Sequence, residues 1–189
     1  MDRACIVAVL RKRLTPKRFR HSLRVASLAR SLARQYGVGE DKAYLAGLLH
    51  DYAKNLDDSE LLRWAAHYQL RLDPILEAFP QLLHGPVGAC LIWKKMNLQD
   101  EEVLQAISRH TLGCPGMSPL DKIIFLADLI EPGRKFIGVE ELRCLVKKDL
   151  DLALLEAYDQ TIRHLLGRRV PIHPVMIEAR NDLLFSRCQ

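Results

Sequence analysis

The spacing of apolar residues is the feature that most constrains this fold. They recur every three or four positions along almost the whole chain, and alternating segments of the kind that form strands are nearly absent. Such spacing gives a helix one apolar face, whereas a half-buried strand needs strict alternation. Between residues 17 and 35, for example, Phe19, Leu23, Ala26 and Leu32 form one stripe. The sequence therefore predicts an all-α fold.

The same pattern, read with helix start and stop signals, predicts where the helices lie. A first helix is expected at the N-terminus, because residues 5–13 carry a short apolar patch but no cleavage site of a signal peptide. The later predicted helices span residues 17–35, 40–50, 59–69, 85–96, 100–109, 118–130, 150–166 and 174–185. A chain of 189 residues suits one buried core and is short for two, so we expect a single helical-bundle domain over residues 1–189.

Composition limits the class of protein, its compartment and the kind of ligand that it can bind. Apolar residues make up 49% of the chain and charged residues 27%, as in ordinary globular proteins. The apolar runs at 43–49 and 123–126 are far below the roughly 18 residues of a membrane span, so no membrane helix is expected. Five scattered cysteines without a C-x-x-C pair favour a reducing cytoplasm. The formal charge of +5 is spread along helices, which favours a solvated surface or an anionic small molecule over nucleic acid.

Polar residues at positions where the helical pattern predicts burial are the main anomaly. Asp51 follows the apolar segment 43–50, and Asp128 lies inside the apolar segment 123–130. A buried carboxylate is costly unless it is paired or binds a cation. Histidines occur on or beside the same helices, and imidazole with carboxylate suits Mn, Fe, Co and Zn. The candidate ligands are His21, His50, Asp51, His84, His110 and Asp128.

Six donors are enough for two metals that share Asp51. Each histidine taken singly has a simpler interpretation, as a hydrogen-bonded core residue or as a charge at a helix C-terminus. The surrounding strings weigh against that interpretation. They are RHSLRVA around His21, LAGLLHDYAK around His50 and Asp51, LLHGPVGA around His84, SRHTLG around His110, FLADLIEPGR around Asp128 and IHPVMIEARN around His173.

In this order and context the chain resembles the HD-domain metal-dependent phosphohydrolases. Within them it is similar to the YqeK-type symmetrical bis(5'-nucleosyl)-tetraphosphatases, which hydrolyse diadenosine tetraphosphate. The matching strings run from about residue 17 to residue 184. The resemblance implies core motifs over residues 17–134 and C-terminal helices over residues 149–185 that complete the nucleotide site.

The resemblance also implies a ligand set. His21, His50, Asp51 and Asp128 would bind one metal, and Asp51 would bridge it to a second metal held by His84 and His110. A metal pair can hold a bridging hydroxide and polarise the phosphoryl group that it attacks. Two divalent or trivalent transition-metal ions per chain are expected, iron first, with Mn, Co, Zn or Mg as alternatives.

The resemblance further implies the groups that meet substrate. Asp51 and Lys54 are expected to be catalytic. The expected substrate contacts are Lys54, His84, His110, Thr111, Arg134, His173, Met176 and Arg180. Lys54 and Arg134 suit phosphate oxygens, although both also have an ordinary interpretation as loop charges. Met176 departs from the threonine expected at that position. Trp64 and Trp93 are expected in the core rather than as platforms for a base.

The expected reaction is the hydrolysis of dinucleoside polyphosphates to two nucleoside diphosphates by a cytoplasmic enzyme. One alternative is another HD phosphohydrolase, such as a nucleotidase, a cyclic-nucleotide phosphodiesterase or a guanosine tetraphosphate hydrolase. Another is a non-catalytic helical module that binds nucleotides or RNA. The expected partner is a small-molecule nucleotide, with no membrane and no nucleic acid. The oligomeric state stays open, a homodimer included.

Overall fold

The structure, a computed structural model, describes residues 3–187. Within that range it contains helices and turns and no strand, so the predicted all-α class is confirmed. The helices are α1 (Arg3–Arg13), α2 (Pro16–Gln35), α3 (Glu40–Leu49), α4 (Asp58–His67), α5 (Pro74–Ala78), α6 (His84–Met96), α7 (Glu101–Arg109), α8 (Pro119–Ile130), α9 (Val139–Leu145), α10 (Leu150–Gly167) and α11 (Pro174–Arg187). A 3-10 turn, Pro80–Leu83, leads into α6.

Side-chain caps fix where several helices begin. The Thr15 hydroxyl accepts the first-turn amide of α2, and proline follows it as the first helical residue. Asp57 and Glu60 form a reciprocal capping box on α4, and Ser118 and Asp121 form another on α8. These caps satisfy amides that have no partner inside the helix, so the helix starts follow directly from the local sequence.

Helix α3 lies at the centre of the bundle, against α2, α7 and α8. Gly47 allows its close approach to α2, because a Cβ there would lie 2.9 Å from Ala26 Cα. Gly85 plays the same part between α6 and α7, where a Cβ would lie 2.8 Å from the Ser108 carbonyl oxygen. These crossings bring the end of α3, the start of α6 and the end of α7 together in the interior.

The C-terminal helices extend the same packing. Helix α10 packs against α8, and α11 packs against α10. Tyr158 of α10 is fully buried, and its ring lies 5.0 Å from that of Phe125 on α8. Helix α9 contacts both α8 and α10, which places it beside the loop that leaves α8.

The structure departs from the sequence predictions in two respects. Helices α5 and α9 were not predicted, because runs of five and seven residues are too short to establish a helical period. Trp93 is 46% exposed, so its predicted core position is wrong, whereas Trp64 is half-buried against the core. Helix α6 is apolar around most of its circumference, and its pattern therefore did not identify the solvent-facing side.

Two further sequence features are located by the structure. In the described residues, no helix is both long enough and apolar enough to cross a bilayer. Cys5, Cys90, Cys114 and Cys144 are free thiols, and Cys188 lies outside the described residues.

Candidate metal centre

The six predicted ligands converge from five parts of the bundle. His21 lies on α2 and Asp128 on α8, His50 and Asp51 directly follow α3, His84 opens α6 and His110 directly follows α7. All are buried except Asp128, whose side chain is 23% exposed. Residues separated by more than a hundred positions in the sequence therefore meet in one place.

One group of donors surrounds His21. Its Nε2 lies 2.9 Å from Asp128 Oδ1, 3.2 Å from His50 Nε2 and 3.7 Å from Asp51 Oδ2. His50 Nε2 in turn lies 3.4 Å from Asp51 Oδ2. Two imidazole nitrogens and two carboxylate oxygens thus lie close together. Asp128 and His50 also form a group of donors with His110.

A second group lies on the other side of Asp51. His84 Nε2 is 3.0 Å from His110 Nε2 and 3.4 Å from Asp51 Oδ1. The two oxygens of Asp51 therefore point to different groups, Oδ2 to His21 and His50 and Oδ1 to His84. A carboxylate in this position can bridge two cations.

The orientation of the imidazoles tests whether these donors fit a metal. Three of the rings donate from Nδ1 to the backbone carbonyl three residues earlier. These bonds join His50 to Gly47 at 2.7 Å, His84 to Gln81 at 2.6 Å and His110 to Ile107 at 2.7 Å. With the proton on Nδ1, each Nε2 presents a lone pair, and two facing lone pairs cannot hydrogen-bond to each other. Two nitrogens bound to one cation at about 2.1 Å and at right angles lie about 3.0 Å apart. The 3.0 Å between His84 Nε2 and His110 Nε2 therefore fits a shared cation.

The electrostatics of the second group favour neutral imidazoles. Burial lowers the pKa of His84 to about 3, helped by the charges of His110 and Lys54. Burial also lowers the pKa of His110 to about 4, with the charge of His50 as the next cause. Both rings are therefore unprotonated near neutral pH, which is the form that binds a metal.

The two carboxylates are ionised and are contacted by arginines. Burial raises the pKa of Asp51, but the contacts with the surrounding histidines lower it by more, so this pKa lies below its usual range. Arg18 Nη1 donates to Asp51 Oδ2 at 2.9 Å, and Arg134 Nη2 donates to Asp128 Oδ1 at 2.5 Å. Arg18 was missed in the sequence, although it lies one helical turn before His21 and so shares its face of α2.

Glu131 is a further group that the sequence analysis did not single out. It is only 2% exposed, and its Oε1 lies 3.2 Å from His21 Nδ1. Arg24 contacts both of its oxygens, and the Gly133 amide donates to Oε2 at 2.5 Å. Burial raises the pKa of Glu131, but the hydrogen bond from Arg24 leads the effects that lower it to about 2. The signal was present, because Glu131 directly follows the apolar segment that contains Asp128.

A cavity of about 290 Å³ opens over the donors. Arg18, Lys54 and Arg134 bring three basic groups to its wall, and Thr111 adds a hydroxyl. Lys54 Nζ lies 3.3 Å from His84 Nδ1, and burial lowers the pKa of the lysine. Arginine and lysine side chains are the usual partners of phosphate oxygens, so the cavity suits a phosphorylated ligand.

Comparison with known proteins agrees with this site. The family model for the HD domain matches residues 18–133. The chain belongs to the HD domain family. Membership implies binding of a divalent metal, and the clustered histidines and aspartates of the chain are consistent with it.

Relatives of this HD domain protein support the finer resemblance. It is similar to "Bis(5'-nucleosyl)-tetraphosphatase, symmetrical" of Halalkalibacterium halodurans, with 41% identity over 187 residues that cover 99% of this chain and 100% of the relative. The protein of that name from Bacillus subtilis is 38% identical and covers 92% of this chain and 93% of its own length. The crystal structure of a "predicted HD superfamily hydrolase involved in NAD metabolism" from Clostridium acetobutylicum superposes with a TM-score of 0.96 at 41% identity, covering 99% of this chain and 98% of that one. The resemblance predicted from the sequence is confirmed.

Three residues of this HD domain protein that were predicted to contact substrate lie outside the cavity over the donors. His173 Nε2 is 2.7 Å from Asp73 Oδ2, near the start of α11. Met176 is buried at 4% exposure, and Arg180 pairs with Asp159 in a separate groove between α10 and α11. None of the three lines the 290 Å³ cavity among the described residues. Their role in binding substrate stays a prediction.

Proposed function

We propose that this HD domain protein hydrolyses diadenosine tetraphosphate and related dinucleoside polyphosphates symmetrically, to two nucleoside diphosphates. The observation that carries the proposal is the pair of donor groups on either side of Asp51, beneath a cavity with three basic side chains. The relatives named as symmetrical bis(5'-nucleosyl)-tetraphosphatases support the choice of substrate.

The proposed cofactor is two transition-metal ions per chain, iron first. His21, His50 and Asp51, with Asp128 beside His21, would hold one, and Asp51 with His84 and His110 would hold the other. When bound, such ions supply Lewis-acid activation of water and stabilise charge on the phosphoryl oxygens. Nucleotidases of this superfamily that use one metal need only the first four ligands, so the His84–His110 pair favours the dinuclear type.

The side chains around the cavity would handle the polyphosphate. Arg18, Lys54 and Arg134 would neutralise phosphate oxygens that flank the reacting phosphorus, and Thr111 would donate its hydroxyl. Water adds to one of the two central phosphorus atoms, the P–O bond between the two central phosphates breaks, and the second nucleoside diphosphate leaves with that bridging oxygen. The leaving oxygen belongs to a phosphate of low pKa and departs as an anion, and the proton of the attacking water is released to solvent. Water is the nucleophile, so no side-chain nucleophile is required.

The size of the cavity limits what lies inside it. Its 290 Å³ is at the small end of ligand pockets, which commonly span about 300–1,000 Å³. The phosphate chain would occupy it, and both nucleosides would extend outward.

The test is product analysis with metal counting on one sample. The metal-loaded protein is incubated with diadenosine tetraphosphate, the nucleotides are separated by chromatography, and bound metal is measured by plasma mass spectrometry. ADP as the only product, with about two metal ions per chain, supports the proposal. AMP with ATP, or no turnover despite bound metal, would move the substrate to another class of HD phosphohydrolase.

A further inference from the structure

Arg143, on the short helix α9, contacts the backbone of the segment that leaves α8. Its Nε donates to the Ile130 carbonyl at 2.9 Å. Its Nη2 donates to the carbonyls of Glu131, at 2.7 Å, and Arg134, at 3.1 Å. One guanidinium thus binds three carbonyl oxygens within five consecutive residues. The side chain is 22% exposed, so water competes only partly for these bonds.

Residues 131–134 carry two side chains of the candidate metal centre. Glu131 contacts His21 Nδ1, and Arg134 donates to the Asp128 carboxylate. Pro132 and Gly133 between them are exposed, so the segment has little apolar contact to hold it in place. The carbonyls at the end of a helix also lack partners within the helix. Arg143 supplies partners to both ends of this segment.

We propose that Arg143 is a positioning residue. It fixes the backbone of residues 131–134 and thereby the side chains of Glu131 and Arg134. It reaches neither the metal donors nor the cavity wall, so it acts only by holding this backbone. Its effect on turnover rests on the function proposed above, whereas its effect on the backbone does not. Loss of a group that contacts a metal ligand typically lowers metal affinity or activity by about 10–100-fold. Arg143 acts one contact further out, so we expect kcat/KM to fall by about 10-fold, at the lower end of this range.

The structure offers a matched control. Arg143 Nη1 also donates to Glu140 at 2.5 Å, but Glu140 is 80% exposed and one turn away on the same helix. Glu140→Gln removes the charge partner and leaves the three carbonyl bonds in place. Arg143→Met removes all three bonds and keeps the length of the side chain. Arg143→Lys keeps a cation that can reach only part of the carbonyl set.

The first measurement is amide hydrogen exchange, which does not depend on activity. The Gly133 amide donates to the Glu131 side chain and the Arg134 amide to the Glu131 carbonyl, so both report on this segment. Arg143→Met is expected to speed their exchange by about tenfold or more, with the amides of α3 unchanged. Arg143→Lys should lie in between, and Glu140→Gln should match the wild type. Unchanged exchange in a folded Arg143→Met or Arg143→Lys protein overturns the proposal.

The second measurement is a double-mutant cycle on kcat/KM with Arg134→Met. If Arg143 acts through this segment, the double variant loses much less than the product of the two single losses. Multiplicative losses both in this cycle and in the same cycle with Glu131→Gln would assign Arg143 a general structural role and overturn the proposal. A wild-type protein that does not turn over diadenosine tetraphosphate, but whose segment responds to Arg143→Met in exchange, would contradict the proposed function and leave the positioning role intact.

Discussion

Replacing Asp51 with asparagine tests the candidate metal centre directly, because the side chain keeps its size and loses its charge. Its Oδ2 lies 3.4 Å from His50 Nε2, and its Oδ1 lies 3.4 Å from His84 Nε2. An amide offers one acceptor oxygen and one donor NH₂, so it cannot act as an anionic ligand toward both groups. The variant therefore loses the one ligand that the two donor groups share.

The size of the effect follows from linkage between metal binding and folding. A metal at a hundred times its Kd stabilises the folded protein by about 2.7 kcal/mol. For a chain of 189 residues each kcal/mol moves the Tm by about 2–4 °C, so metal should raise the wild-type Tm by about 5–11 °C. In Asp51→Asn the rise should be close to zero. Turnover should fall by more than about 100-fold, beyond the usual loss from an outer-shell partner.

The assay is a thermal melt of chelator-treated protein with and without added metal, followed by plasma mass spectrometry after desalting. Asp121→Asn is the matched control, because Asp121 is also buried and also accepts from an arginine, Arg109, at 2.9 Å. That variant should have a lower Tm but keep the metal-dependent rise. If Asp51→Asn retains bound metal and the full rise in Tm, the ligand assignment is wrong.

Other variants test the groups around the donors. Lys54→Met should lower kcat/KM by about 10–100-fold, the value of one hydrogen bond to a charged group, with metal content unchanged; loss of metal instead would make Lys54 a structural residue. The pKa of Glu131 falls from its ordinary value of 4.5 to about 2 in the fold. The ionised carboxylate therefore stabilises the folded protein fully above pH 4.5, by about 3 kcal/mol. This contribution is lost as the pH falls from 4.5 towards 2. The free energy of unfolding, measured with denaturant between pH 2 and 6, should therefore rise more steeply with pH in the wild type than in Glu131→Gln. An equal pH dependence in the two proteins would refute the lowered pKa of Glu131. His67→Ala, at an exposed position, should change neither metal content nor turnover, and a large loss would mean that the wrong histidines were chosen.

The sequence was sufficient for features that depend on local pattern. The longer helices were predicted within two residues at most ends, because caps such as Thr15 and Ser118 mark their starts. Asp51 and Asp128 were found because a carboxylate inside an apolar run is unusual. Their convergence with the histidines was a hypothesis from donor chemistry that the family strings strengthened, since spacing alone does not determine which helices meet.

The features that were missed depend on tertiary contacts. Arg18, Arg24 and Arg143 look like ordinary surface charges in a chain with 28 Lys and Arg residues. Only the fold shows that the first contacts Asp51, the second contacts Glu131 and the third contacts three backbone carbonyls. Such roles have no local signature, because each partner lies on a different helix or loop.

Three of the clustered histidines differ in the partner of Nδ1, and this difference explains the position of Glu131. His50 and His110 directly follow helices, where the carbonyls of Gly47 and Ile107 are free of helical hydrogen bonds and accept from Nδ1. His21 lies inside α2, where the nearby carbonyls are already used by the helix. Its Nδ1 must therefore find an acceptor outside α2, and it meets a carboxylate 110 positions away. The orientation of this one imidazole thus depends on the segment that Arg143 holds, whereas His50 and His110 are oriented by their own helix ends.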